Sequence, residues 1–257
     1  MTRLITLCSG KGGVGKTTIS TNLAAALHKF GKDVVLVDGN TTTPNVSVIL
    51  GMPKLPITIQ DVLAGNARLE DSIYLHPSGL KVIPAGLSMK HNKQKQKKKM
   101  AKVFSNLVGN VEYGLIDCSA GLGDEAKSAM ESGDELILIT NPEIHALTDG
   151  LKAIEHARGI GVKTLGVILN RVNNKDYEMS KENVEEFLEV PVIGMIPEDE
   201  SVKKAISMKK PLIYAYPNSP ASRAIKKLAA RMVGEDYRTI EPETFSQRIL
   251  RMFGVYK

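Results

Sequence analysis

The chain has 257 residues, 42% of them hydrophobic and 24% charged, which suits one large α/β domain with its own core and requires no second one. No apolar run approaches the ~20 residues that cross a bilayer as a helix, and Met1-Thr2-Arg3-Leu4-Ile5 leads into a strand-like run instead of a signal peptide, so a helical membrane span is excluded and a cytoplasmic protein expected. The net charge of +6 is local: Lys90, Lys93, Lys95, Lys97, Lys98, Lys99 and Lys102 share one stretch without an acid, and removing these seven leaves −1 for the remainder.

The first element is the apolar run Leu4-Ile5-Thr6-Leu7-Cys8, followed by Ser9-Gly10-Lys11-Gly12-Gly13-Val14-Gly15-Lys16-Thr17-Thr18. Gly10, Gly15, Lys16 and Thr17 fit the phosphate-loop pattern G-x-x-x-x-G-K-[ST], with a strand-like run before it and a helix-periodic segment after it. Chemistry that handles a polyphosphate needs this arrangement. The glycines let backbone N–H groups turn inward, Lys16 reaches the β and γ phosphates, and the Thr17 hydroxyl ligates Mg²⁺. The candidate nucleotide-binding residues here are Gly10, Lys11, Gly12, Gly13, Val14, Gly15, Lys16, Thr17 and Thr18.

Ile19, Leu23, Ala26, Leu27 and Phe30 then recur at helical spacing, and Gly31 is placed to end that helix. Asp33 to Asp38 is nearly all apolar between its acids, the mark of a strand buried on both faces. Asp38 closes this strand at the edge where open α/β sheets bind ligands, so it is a candidate acid beside the phosphates and Mg²⁺. Gly39 to Asn45 reads as a polar loop.

Further strands are expected at Leu80 to Pro84, Tyr113 to Cys118, Glu135 to Thr140, Thr164 to Leu169 and Val190 to Ile196, with helical stretches between them. The alternation predicts a single-domain α/β fold, a mostly parallel twisted sheet with helices on both faces. The second nucleotide-site candidate is Tyr113-Gly114-Leu115-Ile116-Asp117-Cys118-Ser119-Ala120-Gly121, where Asp117 ends a strand and can hold Mg²⁺ through water. Asn170 and Arg171 at one strand exit, and Pro197 and Asp199 at another, can offer hydrogen bonds to a base edge. Cys8 and Cys118 are expected as buried reduced thiols, and neither belongs to a CxxC metal motif.

Lys11 adds a second cation to the loop. With it, K-G-G-V-G-K-T-T resembles the deviant phosphate loop of the MinD/ParA family of ATPases, and Asp117-Cys118-Ser119-Ala120-Gly121 resembles that family's D-x-x-A-G. The fit runs over about residues 2 to 235. The resemblance implies a P-loop NTPase of the SIMIBI type with ATP and Mg²⁺ as cofactors, metal contacts from Thr17, Asp38 and Asp117, adenine bordered by Asn170, Arg171, Pro197 and Asp199, and a homodimer formed on ATP binding. It also implies that Lys11 reaches the partner's nucleotide and that Gly39 to Asn45 is the first switch segment. The family usually has an acid two residues after the Asp38 position, where this chain has Asn40. Asparagine can bond a water but cannot take its proton. The catalytic candidates are therefore Lys11, Lys16, Asp38 and Asn40, with slow ATP hydrolysis expected.

The ATPase domain is expected over 1–238 and a tail with an amphipathic helix over 239–257. In that tail Thr244-Phe245-Ser246-Gln247 has capping-box spacing, and Phe245, Ile249, Met252, Phe253 and Tyr256 fall in one stripe flanked by Arg248 and Arg251. The stripe resembles the membrane-targeting helix of MinD. The expected function is a MinD-type dimerising positioning switch, peripheral at the inner face of the cell membrane, which binds anionic lipid in its ATP state and recruits an activator or cargo protein. The alternatives are a ParA-like DNA-partition ATPase using the Lys90 to Lys102 stretch, and an ATP-sensing scaffold that hydrolyses little.

Overall fold

The apolar runs assemble into one eight-stranded sheet in the computed structural model, which describes residues 2–52, 55–86, 100–235 and 237. The strands are β1 (Arg3–Cys8), β2 (Val34–Asp38), β3 (Tyr74–Leu75), β4 (Lys81–Ile83), β5 (Tyr113–Asp117), β6 (Glu135–Thr140), β7 (Lys163–Val172) and β8 (Val192–Pro197), in the order β3-β4-β2-β5-β1-β6-β7-β8. Every pairing is parallel except β3 with β4. β2 and β5 are buried along their whole length, as continuous apolar runs covered on both faces must be.

The described helices are α1 (Lys16–Lys29), α2 (Val46–Leu50), α3 (Ile59–Ala64), α4 (Met100–Phe104), α5 (Asp124–Met130), α6 (Ile144–Gly159), α7 (Lys181–Leu188), α8 (Glu200–Ser207), α9 (Leu212–Ala215) and α10 (Pro220–Val233). The two-residue period of β1 divides them into two layers. Leu4 and Cys8 face a core shared with α3 to α7, whereas Ile5 and Leu7 face one shared with α1 and α10. Local signals set the helix ends. Ser219 caps α10 by accepting from the Ser222 amide, Pro220 opens it, and Gly234 at φ 78° closes it.

The expected strands are present, Glu135 to Thr140 with both ends as expected and the others with ends shifted by at most three residues. β3 carried no readable signal, because two residues are too few for a strand period. Cys8 and Cys118 are buried free thiols, as expected. Of the lysine stretch only Lys102 is described, on α4; Lys90 to Lys99, the 238/239 boundary, and Phe245, Arg248, Ile249, Arg251, Met252, Phe253 and Tyr256 lie outside the described residues. No described helix is long and apolar enough to cross a membrane.

Candidate nucleotide site

Parallel pairing brings the two acids to one edge: Asp38 is in register with Asp117, and Asp117 with Leu7, just before the glycine loop. Two of that loop's glycines are required by geometry. A Cβ on Gly10 would lie 2.2 Å from the Asp149 carbonyl carbon of α6, and Gly15 combines φ 92° with a would-be Cβ 2.3 Å from Asn170 Nδ2. Gly15 also caps α1, so the unpaired first amides of that helix face the loop's concave side.

The side chains converge on Asp117. Lys16 Nζ donates to Oδ1 at 2.9 Å, Ser20 Oγ to the same oxygen at 2.7 Å, and Thr17 Oγ1 to Oδ2 at 2.7 Å. Burial works most strongly against the charge on Lys16, yet its acidic neighbours together, led by the adjoining Asp117 carboxylate, outweigh it and hold the ammonium above its ordinary pKa. The cavity in front of these groups holds about 620 Å³ and is lined by Gly12 to Thr18 and, opposite, by Asn40, Ser119 and Glu125. Ser9 Oγ, buried on its wall, has no hydrogen-bond partner among the described residues. An unpaired buried hydroxyl beside free helix amides, a lysine and a threonine–carboxylate pair is the donor set for a polyphosphate with a divalent cation.

Asp38 is fully buried and accepts from the backbone amides of Asn40 (3.1 Å), Asn45 (3.2 Å) and Val46 (3.1 Å). It thereby ties the polar loop and the start of α2 to the sheet edge. Burial, with the charge of Asp117, pushes its pKa up to about 8 against the pull of those amides. An acid that holds its proton more tightly folded than unfolded stabilises the protein less as pH rises between the two pKa values. Without nucleotide or Mg²⁺, the melting temperature is therefore expected to fall from about pH 5 to pH 8, and Asp38→Asn to flatten this decline. Equal slopes for the two proteins in a thermal unfolding series would contradict the assignment.

Asn40 is already engaged: Nδ2 donates to the Thr43 carbonyl at 2.7 Å and Oδ1 accepts from the Thr43 amide at 3.0 Å. A carboxylate that sequence reasoning missed approaches the same loop from α5. Glu125 accepts from the Thr41 amide at 2.5 Å, the Thr42 amide at 3.0 Å and the Thr41 hydroxyl. No sequence motif announced it, since Glu125 meets residues 41 and 42 only through the tertiary fold.

The four residues chosen for the base side do come together. Asn170, Arg171, Pro197 and Asp199 line a cleft of about 90 Å³ that shares Gly15 and Thr18 with the phosphate loop. Two of them also have structural work. Asn170 Nδ2 donates to the Val14 carbonyl at 2.7 Å, which leaves its Oδ1 for a base amine, and Asp199 caps α8 through the Ser201 amide at 2.8 Å while also accepting from Ala221 at 3.1 Å. Lys11 does not line the phosphate cavity; its ammonium lies 3.8 Å from Glu143 and is part-exposed.

The comparisons with known proteins agree with this geometry. Residues 5–212 match the CobQ/CobB/MinD/ParA nucleotide binding domain. An uncharacterized ATP-binding protein of Methanocaldococcus jannaschii is 42% identical, over 97% of this chain and 96% of its own length. The septum site-determining protein MinD of Pyrococcus horikoshii, solved with Mg-ADP, superimposes with a TM-score of 0.86 at 39% identity, covering 90% of this chain and 96% of that one. The MinD of the Aquifex aeolicus MinC:MinD complex gives 0.80 at 30% identity, covering 92% and 98%. ATP with Mg²⁺ fits both the donor set and the family. A loop with two lysines, two strand-end aspartates in register and this likeness along nearly the whole chain lead to one conclusion: the protein belongs to the MinD/ParA family of P-loop ATPases.

Proposed function

We propose that the chain is a MinD-type switch that dimerises on Mg-ATP, hydrolyses it slowly, and in its dimeric state binds the inner face of the cell membrane through residues 244–257, where it recruits a partner protein. The observation that carries the reading is the division of labour between the loop's two lysines. Lys16 is buried against Asp117 inside the cavity, whereas Lys11 lies outside the cavity on the loop's open surface. A cation presented outward beside a polyanion site suits a second polyanion arriving on another subunit, because two nucleotides face to face repel unless cations intervene. The likeness to a MinD solved with MinC supports recruitment of a partner.

A magnesium nucleotide, when bound, would supply the phosphoryl group and the cation that offsets its charge. The chain's own part is to position. Thr17, Asp38 and Asp117 would hold the metal side, the loop amides and Lys16 the phosphates, and Asn170, Arg171, Pro197 and Asp199 the base. Dimerisation tests the proposal: by light scattering, wild type should double its mass in Mg-ATP but not in Mg-ADP, and Lys11→Ala should bind nucleotide yet stay monomeric. Equal dimerisation of the two proteins would refute the trans role.

Hydrolysis gives a separate check. Asn40→Asp loses the donation to Thr43 and adds a carboxylate to the cavity wall. Its basal ATPase rate is expected to rise roughly tenfold, less than a full general base contributes because positioning dominates phosphoryl transfer. An unchanged or lower rate would show that residue 40 does not limit water activation.

A further inference from the structure

On the β3 edge of the sheet, away from the nucleotide, lies a groove of about 650 Å³ between the end of α2, β3 and the α8–α9 connection. Its floor and walls are apolar: Leu50, Met52, Leu55, Leu75, Met208 and Tyr214. Leu75 is 72% exposed and Met208 48% exposed, which soluble surfaces rarely combine with an apolar hollow unless something covers it. Lys209 and Lys210 line the same groove, and Lys204 stands exposed on α8, which leads into it. None of these three makes an ion pair among the described residues.

From this pairing of an apolar hollow with an unneutralised cationic border, we infer that the groove docks an acidic amphipathic helix of a partner protein. Helix-in-groove recognition needs apolar anchors at i, i+3, i+4 and i+7 to fill the hollow, and acids on the flanks answer the lysines. Other occupants fit less well. The chain's own segment 244–257 carries Arg248, Arg251 and Lys257 and no acid, so like charges oppose it. A second copy would bring the same lysines, and a flat bilayer cannot fill a concave site.

The groove is also wired to the nucleotide. Asp38 holds the amides of Asn45 and Val46 at the start of α2, and the carbonyl of Leu50 at its end meets His76 Nε2 at 3.2 Å on the groove wall. One five-residue helix thus links the buried acid of the phosphate site to the docking surface. A partner seated there senses the state of that site, and by reciprocity alters nucleotide affinity by the same factor.

The test is a displayed library of helices about 18 residues long, with leucines fixed at i, i+3, i+4 and i+7 and the other positions drawn from Glu, Lys, Gln and Ala, selected on the full chain. Enriched sequences should be net negative. A fluorescein-labelled winner should bind wild type roughly tenfold or more tightly than either Leu75→Glu or Lys209→Glu/Lys210→Glu, with affinity differing between Mg-ADP and a non-hydrolysable ATP analogue. Both variants change exposed positions, and retained nucleotide binding confirms that they fold. Enrichment of neutral or basic helices, or equal binding to all three proteins, would overturn the docking site. So would phosphatidylserine vesicles that distinguish wild type from Leu75→Glu where no helix does. Helix binding that ignores the nucleotide would overturn the link through α2. None of these outcomes bears on dimerisation, which the Lys11→Ala comparison tests by itself.

Discussion

Lys16→Ala is expected to abolish nucleotide binding and to weaken the fold at once. Each charge-assisted hydrogen bond lost to a phosphate oxygen costs about 1.5–3 kcal/mol, so two such bonds raise the Kd roughly 10²-fold or more. The second effect comes from what is left behind. Lys16 is only 7% exposed and sits 2.9 Å from the buried Asp117 carboxylate, and removing one member of such a pair costs about 3–5 kcal/mol by stranding the other charge. Here the lower part of that range is expected, because Thr17 and Ser20 still donate to Asp117. The double variant Lys16→Ala/Asp117→Asn separates the two effects: it should recover stability in urea unfolding, since the stranded charge is gone, and still fail to bind a fluorescent ATP analogue. If Lys16→Ala alone keeps wild-type affinity, the phosphate assignment is wrong.

Much of this site was legible because its parts are local. The glycine loop, its flanking strand and helix, and Asp38 and Asp117 at strand ends each carry their signal within about ten residues, and parallel pairing then has one way to bring both acids beside the loop. Features made by distant residues were not legible. Nothing near Glu125 in sequence points to the Thr41 and Thr42 amides, about 84 residues away. Nor does Asn170 announce that it donates to Val14, a contact 156 residues long. Short elements also escaped: α2 is five residues and β3 two, below the length at which either period can be counted. The proposed docking groove joins these two elements to the α8–α9 connection more than 130 residues away, so it too had no signature in the sequence.

The second large effect concerns location. From Thr244 to Lys257 the apolar stripe, read as a helix, is about 21 Å long, enough to lie in a membrane interface but not to span it. Its five large apolar side chains are worth roughly 1.5–3 kcal/mol each on full burial, heavily discounted for partial insertion and for ordering the segment, and Arg248, Arg251 and Lys257 add about 1 kcal/mol each near an anionic surface. One copy is therefore expected to bind marginally. Two copies presented on one face of the proposed dimer would gain roughly 10²–10⁴ in avidity without a new contact, so membrane binding is expected to follow the nucleotide. Removing residues 244–257 should abolish this binding while leaving ATP-driven dimerisation intact, and Lys11→Ala should reduce it to the level of the ADP state.

The most direct measurement is co-sedimentation of the full chain and of a chain ending at Glu243 with anionic liposomes, each in Mg-ATP and Mg-ADP, with duplex DNA in place of liposomes as the parallel arm. The account predicts that only the full chain in Mg-ATP pellets strongly with liposomes, and that DNA pellets neither. Equal liposome binding by the truncated chain, binding that ignores the nucleotide while dimerisation follows it, or ATP-dependent pelleting with DNA instead would contradict it.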